Sequence, residues 1–568
     1  MLNESRQARP LGYISSNWKR AACGVAAGSI AGLALAATRA PHFEGIGLGV
    51  FFGVLYGMTF VYAPKQSLDA ATTAAVLGIP AWIGIDVIVL PALAGAPAQW
   101  SAAGLRAAFP ALVGWFTYGL ALGAILHALA KGRLFDSTEE HQTVSNSRGR
   151  TRIIILGGGF AGVTVAEALE RKFGADQDVD ITLVSEGNSL LFTPMLAEVA
   201  GGSIEATHIS NPIRMALHRT TFVRDRITAL DPERRMVKTA GQELPYDHVV
   251  LALGATPNYF GSRGVEQIAF GFKTLLDAIH IRNHVIEMFE SADKEPEESA
   301  KRNLLRFVIA GGGFAGVELA GALNDFARGM ISSYPNLEQD MVEIVLVHGR
   351  DRVLPELSES LADYALKRLT DRGVNFCLGT HVEGAEPGAV HLDNGQSIAS
   401  RTLVWTAGTK PSALLRESSV ECDARGAVIV DSTLRVPQRT GIWALGDCAA
   451  VIDRRTKQPY PPTAQVAVRE AETLAHNIWA TIRRKRAREF RFSSMGALCV
   501  IGHQTACAEL RVPFGGQPLR FSGFFAWLLW RTIYVGKLPG LERKIRVLID
   551  WTVELFFPRD IVQTIDLK

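Results

Sequence analysis

Residues 153–163 read Ile153-Ile154-Ile155-Leu156-Gly157-Gly158-Gly159-Phe160-Ala161-Gly162-Val163, a short apolar strand running into GxGxxG. In such a turn the three glycines have separate tasks: a tight bend, close approach of the backbone to a pyrophosphate, and close helix–strand packing. The helix that follows offers its free N–H groups and positive dipole end to the phosphates. One such motif is weak evidence, but this one recurs. Phe307-Val308-Ile309-Ala310 leads into Gly311, Gly313 and Gly316, and GGGFAGV is identical at 157–163 and 311–317. A second pair of matching segments, around Gly254 and Gly408, repeats at the same offset of 154 residues (157 to 311, 254 to 408). Two motifs at one offset indicate a duplicated dinucleotide-binding unit.

After the second unit comes another strand and turn, Gly441-Ile442-Trp443-Ala444-Leu445-Gly446-Asp447. Here the chain resembles the flavoprotein reductases with two dinucleotide-binding domains, and the resemblance implies that Asp447 bonds the ribityl chain of FAD. It also implies an FAD domain in two pieces, 151–302 and 406–485, with an NAD(P) domain at 303–405 inserted between them. Disulfide reductases of this kind need a redox cysteine pair after the first glycine motif. None of the six cysteines lies between Cys23 and Cys377. That removes a thiol relay and counts against sulfide:quinone oxidoreductases. No cysteine or histidine spacing suggests a metal site.

Asn188-Ser189-Leu190-Leu191-Phe192-Thr193-Pro194-Met195-Leu196, Gly316-Val317-Glu318-Leu319-Ala320-Gly321, Pro462-Thr463-Ala464-Gln465-Val466-Ala467 and Phe521-Ser522-Gly523-Phe524-Phe525-Ala526-Trp527-Leu528-Leu529-Trp530 look like segments of type II NADH:quinone oxidoreductases. The resemblance covers about residues 151–560. It implies FAD as cofactor, NADH or NADPH as donor and a quinone as acceptor, in a reaction that pumps no protons. Glu318 then lies between nicotinamide and quinone, as a proton relay or only as an orienting group, and Gln465 lies near the quinone head group or serves as a structural hydrogen-bonder. The helix expected after Pro461-Pro462 would start with proline in its first turn. Its dipole would then face the flavin ring.

Some slots depart from the family pattern. At the end of the second FAD strand an acid is usual, whereas this chain has Ser185 followed by Glu186, which is taken as the ribose ligand. The equivalent slot of the second unit holds His348, with Arg350 and Arg352 beyond it. Cations there would accept a 2′-phosphate, so NADPH is expected to serve at least as well as NADH. Arg469 stands where the family often has Gln.

Upstream, four apolar stretches lie near Ala21–Ala37, Ile46–Tyr62, Ala71–Ala94 and Ala107–Ala130. Each approaches the roughly 17–25 residues that span a bilayer. Asp86 interrupts the third, and an acid at that depth serves either function or a helix–helix contact. Lys19 and Arg20 before the first stretch resemble a signal peptide, but three further spans favour a retained anchor. Basic residues at both ends (Arg6, Arg9, Lys19, Arg20; Lys131, Arg133) predict that both ends face the cytoplasm. Aromatic residues crowd with Arg531, Lys537, Arg543, Lys544 and Arg546 in the tail, as in a segment lying on a membrane.

The resulting expectation is an α/β protein with two Rossmann-like dinucleotide-binding domains, one inserted in the other. A four-helix transmembrane region (1–135) and a linker (136–150) precede them, and an amphipathic membrane-associating tail (486–568) follows. It would be a multi-pass protein of the bacterial cytoplasmic membrane with its catalytic domain in the cytoplasm and the lipid bilayer as a partner. A homodimer is compatible with the tail, and a net charge of +3 gives no reason to expect nucleic acid. A competing reading, motivated by Asp86 and the added helices, is a redox-sensing transporter or channel with a flavin module.

Overall fold

The structure is a computed structural model. It describes residues 17–37, 42–59, 67–98, 102–131, 150–174, 176–511 and 517–563. The expected linker at 136–150 lies almost entirely outside these residues. The chain divides into two compact units.

The first unit groups the N-terminal helices with Leu528–Ile545. Its helices span Asn17–Ala37, His42–Thr59 and Ala102–Lys131, with a broken helical run from Ser67 to Leu93 between them. Over its described residues each of the four apolar stretches is therefore largely helical. Among the described residues, Ala70–Leu93 and Ala107–Leu129 are long and apolar enough to cross a membrane, while Ala22–Ala37 and Gly45–Gly57 are shorter. Glycine explains how the first two helices meet. A Cβ on Gly28 would lie 2.4 Å from the Gly49 carbonyl oxygen, and one on Gly53 would lie 2.4 Å from that of Gly24. The two backbones are in direct contact, which only glycine permits. In the broken run Ile83–Val89 winds as a π-helix, a form that often marks a functional position. Within it Asp86 Oδ2 accepts a hydrogen bond from Trp115 Nε1 at 2.7 Å, so the acid serves a helix–helix contact. From the tail, Lys544 is buried and donates from Nζ to Thr73 Oγ1 at 2.6 Å.

Two parallel five-stranded sheets form the second unit. In the first, the strand order is Ile442–Ala444, His248–Leu251, Thr151–Leu156, Val179–Ser185, Thr221–Arg224. The edge strand comes from beyond the second glycine motif, so the sheet is assembled from two separated pieces of chain. Its central strands are apolar on both faces, as burial between helix layers requires, and Ile153, Ile155 and Leu156 are fully buried. The second sheet runs Phe270–Gly271, Thr402–Trp405, Arg306–Ala310, Glu343–His348, Val374–Leu378. Its first strand precedes residue 303, where the sequence places the domain boundary. That two-residue strand is too short to show a periodic pattern. The segments repeated around Gly254 and Gly408 become two short strands that pair antiparallel with each other, Ala255 opposite Pro411 and Pro257 opposite Thr409. A three-stranded antiparallel sheet, Gly496–Val500, Ala506–Leu510 and Leu519–Gly523, precedes the helices Phe524–Lys537 and Leu541–Glu554.

Candidate active site

The two glycine loops have nearly identical geometry. Gly157 has φ +115° and Gly311 φ +117°, a region that L side chains rarely adopt. A Cβ on Gly162 would lie 1.9 Å from the Gly157 oxygen, and one on Gly316 would lie 1.8 Å from the Gly311 oxygen. The middle glycines differ from these: a Cβ on Gly159 would meet nothing within 4 Å, and one on Gly313 only Glu356 Oε1 at 3.8 Å. Each middle glycine is also the N-cap of its helix, Phe160–Phe173 or Phe314–Met330, with no side chain capping the free N–H groups. Open space in front of uncapped helix donors is a cradle for a phosphate. Both loops therefore fit a dinucleotide.

Ser185 lies under the first loop, where a Cβ on Gly158 would come within 2.6 Å of its Oγ. Glu186 follows with an exposed side chain at the carboxyl end of the strand. In the second unit the corresponding His348 does not act as a cation. Its Nδ1 accepts a hydrogen bond from the Gly312 N–H at 3.1 Å, and burial and the nearby Arg350 and His381 charges lower its pKa. The imidazole is therefore neutral and braces the glycine loop. Its Nε2 is buried without a hydrogen-bond partner among the described residues. The sequence reading of His348 as an anion-binding cation is corrected accordingly, whereas Arg350 is exposed.

An open cleft is lined by Ala255, Thr409, Gly446, Asp447, Pro461–Thr463 and Glu470, among others. Gly254, with φ +64°, turns the chain into it. Gly408 sits against Phe260, where a Cβ would lie 2.8 Å from the ring. Asp447 is the middle residue of the turn Gly446–Cys448 and pairs with Lys273 Nζ at 3.0 Å. The helix beyond the two prolines begins at Ala464, and Thr463 is its N-cap, accepting from the Val466 N–H. Pro461 and Pro462 thus lie outside the helix rather than in its first turn, because the threonine hydroxyl takes the capping role that proline cannot.

Glu318 and Gln465 come from helices of different halves, yet both reach the same strand. Val500 N–H donates to Glu318 Oε1 at 3.3 Å. Gln465 accepts from Met495 N–H at 3.2 Å and donates to the Gly496 oxygen at 3.4 Å. Arg469 Nη2 reaches Met495 Sδ at 3.3 Å. The helix bearing Glu318 also presses on this hairpin, since a Cβ on Gly321 would lie 2.6 Å from the Ile501 carbonyl carbon.

Glu470 went unnoticed in the sequence although a signal existed: it is an acid within the apolar face Val466, Ala467, Ala471, Leu474. It is 2% exposed and accepts from the Gly446 N–H at 2.7 Å. Burial, reinforced by the Asp447 charge, raises its pKa to about 7 against the opposing Gly446 bond. Lys273 carried no sequence signal.

In the tail, Trp527, Trp530 and Arg531 of the first helix and Lys544 of the second are buried. The second helix docks through Trp551 Nε1 to Glu198 Oε2 at 2.8 Å and through Asp550 to His208 Nδ1 at 2.6 Å. Its outer face leaves Ile545, Ile549 and Val553 exposed, as are Leu555, Phe556 and Phe557 just past its end.

Comparison with known proteins places this architecture. Residues 151–471 match the pyridine nucleotide-disulphide oxidoreductase family, and residues 495–560 match the NDH2 C-terminal domain. The chain belongs to this family, within its type II NADH:quinone oxidoreductase branch. A probable NADH dehydrogenase of Dictyostelium discoideum is 32% identical over 72% of this chain and 90% of its own length. The type II NADH:quinone oxidoreductase Ndh of Mycobacterium tuberculosis is 29% identical over 74% and 92%. In fold, the Plasmodium falciparum NDH2 solved in complex with NADH matches 73% of this chain and all of its own, with TM-score 0.66 and 19% identity. The transporter reading finds no support among these relatives.

Proposed function

We propose that the chain is a membrane-bound NADH:quinone oxidoreductase, in which NADH, a proton and a quinone give NAD⁺ and a quinol. The observation that carries this reading is the joint hold of Glu318 and Gln465 on one C-terminal strand, with an intact dinucleotide loop on each half. Bound FAD would accept the hydride and pass two electrons to the quinone. The chain's own residues bind and orient. Gly157, Gly159 and Gly162 seat the FAD diphosphate, Glu186 the adenosine ribose, and Asp447 the ribityl chain. Gly311, Gly313 and Gly316 seat NADH, and Gly254 and Gly408 turn the paired crossing strands at the cleft. Glu318 holds a proton for the quinone, and Gln465 positions the Met495–Gly496 segment at the quinone approach. Arg350, beside a neutral His348, favours NADPH as a second donor.

The four N-terminal helices form a multi-pass anchor, and the exposed stripe Ile545, Ile549, Val553 with Leu555–Phe557 lies against lipid. The decisive experiment uses purified flavin-loaded protein under anaerobic conditions. NADH bleaches the flavin absorbance and a short-chain quinone restores it. A protein without FAD, or a flavin that NADH bleaches and quinone never recolours, overturns the reading. The anchor is tested separately: deletion of residues 1–135 leaves turnover intact while lowering recovery in the membrane fraction.

A further inference from the structure

The cleft assigned to FAD holds a carboxyl group with no role so far. Glu470 projects from the second turn of the helix Ala464–Ile482 onto the N–H of Gly446. Gly446 has φ +72°, and a Cβ there would contact Ala161 of the first glycine-loop helix at 3.4 Å and Ala467 at 3.6 Å. Three elements therefore meet at this turn: the helix that faces the diphosphate, the edge strand Ile442–Ala444, and the helix carrying Glu470. Asp447 is the next residue.

The charged groups around Glu470 can be followed element by element. From the turn come Asp447, tied to Lys273, and the buried thiol of Cys448. From the helix Phe160–Phe173, Arg171 is engaged with Glu472 at 2.5 Å and with Glu167. Arg425 lines the same cleft and is mostly exposed, with Asp423 as its partner. None of these cations is paired with Glu470, which accepts from the neutral backbone N–H of Gly446. A buried carboxyl beside an acid, bonded only to an amide, holds its proton into the neutral range. Burial together with Asp447 brings it to about 7.

We propose that Glu470 is a positioning residue that holds the Gly446–Asp447 turn for the flavin in its protonated form, so that binding of FAD is linked to uptake of a proton at this side chain. Ionised Glu470 would put a second negative charge beside Asp447, in a cleft that must also receive a ligand bearing a diphosphate. FAD filling the cleft removes further water from the carboxyl and drives it towards the neutral form. Affinity for FAD then falls as Glu470 ionises. The inference rests on the assignment of this cleft to FAD.

The test measures the FAD dissociation constant of the full chain by flavin fluorescence from pH 6 to 9, for wild type and Glu470→Gln. The amide keeps the bond to Gly446 and cannot ionise. Wild type should bind FAD several-fold more weakly at pH 8.5 than at pH 6.5, up to tenfold per pH unit, while Glu470→Gln stays flat. Wild type should also take up a fraction of a proton per FAD bound at pH 8 in weak buffer, and much less at pH 5.5. This second measurement needs no variant. Superimposable pH profiles, or absent proton uptake at pH 8, overturn the proposal while leaving the flavin assignment intact. A chain that binds no FAD at any pH overturns the assignment itself.

Discussion

Replacing Gly159 with alanine separates the fold of the first glycine loop from its task. Gly159 has φ −80° and ψ −171°, extended backbone open to any residue, and an added Cβ meets nothing within 4 Å. The free protein therefore has no reason to resist the methyl group. Alanine also restricts the unfolded chain, which stabilises by about 0.4–1 kcal/mol at a compatible position. The methyl group would occupy the space in front of the uncapped helix Phe160–Phe173, where the diphosphate approaches. A tenfold or greater loss of FAD affinity is expected, about 1.4 kcal/mol. The assay is thermal or urea unfolding with and without FAD, read beside the flavin-to-protein absorbance ratio. With FAD at about a hundred times the wild-type dissociation constant, ligand stabilisation of about 2.7 kcal/mol should fall to about 1.4 kcal/mol. Without FAD, Gly159→Ala should unfold no earlier than wild type. A variant that keeps wild-type FAD affinity refutes the phosphate cradle, and a destabilised apoprotein refutes the geometry. The twin change Gly313→Ala should instead raise KM for NADH and leave FAD bound.

Stability should report on Glu470 independently of the cofactor. Its folded pKa is raised to about 7 from 4.5, so the folded state holds the extra proton, and stability falls as pH rises between these values. The loss totals about 3 kcal/mol above pH 7; Glu470→Gln should escape it, and urea midpoints that differ from wild type by the same amount at pH 5 and pH 8 would contradict this. Reversing charge with Arg350→Glu should lower kcat/KM for NADPH at least tenfold more than for NADH, because an acid repels the 2′-phosphate. Equal losses for both donors in steady-state assays would remove Arg350 from donor selection. Trp551→Phe deletes the indole donor to the buried Glu198 carboxylate and should cost about 1–3 kcal/mol in denaturant unfolding. An unchanged midpoint would mean that the second tail helix docks through its apolar side alone.

What could be read from the chain beforehand follows the range of the forces involved. Gly162 and Gly316 are fixed by close approach to Gly157 and Gly311 only five residues earlier, so that part of the pattern carries its own geometry, and the repeat at one offset supplies the duplication. Resemblance singled out Asp447, but nothing in the sequence pointed to its partner Lys273, 174 residues away. Glu318 meets Val500 from 182 residues away and Gln465 meets Met495 from 30, both beyond the reach of a local pattern. The motifs singled out both residues, whereas their shared hold on the Met495–Val500 backbone arises only when the C-terminal hairpin folds onto both helices. His348 fails differently. A histidine beside two arginines reads as a cation, but the loop that packs over it supplies an N–H that only a neutral ring can accept. In the tail, composition revealed an amphipathic segment without revealing which helix is amphipathic towards what. Trp527 and Trp530 are apolar enough for lipid and equally apt for a protein core, and packing assigns them to the core. The outward stripe falls one helix later, at Ile545, Ile549 and Val553, where a spacing of four residues leaves one face uncovered. Glu470 combines these cases. An acid inside an apolar stripe was visible, but its consequence depends on the Gly446 turn, 24 residues back in the chain. That turn decides whether the carboxyl is a buried liability or a group that takes up a proton when the cleft fills.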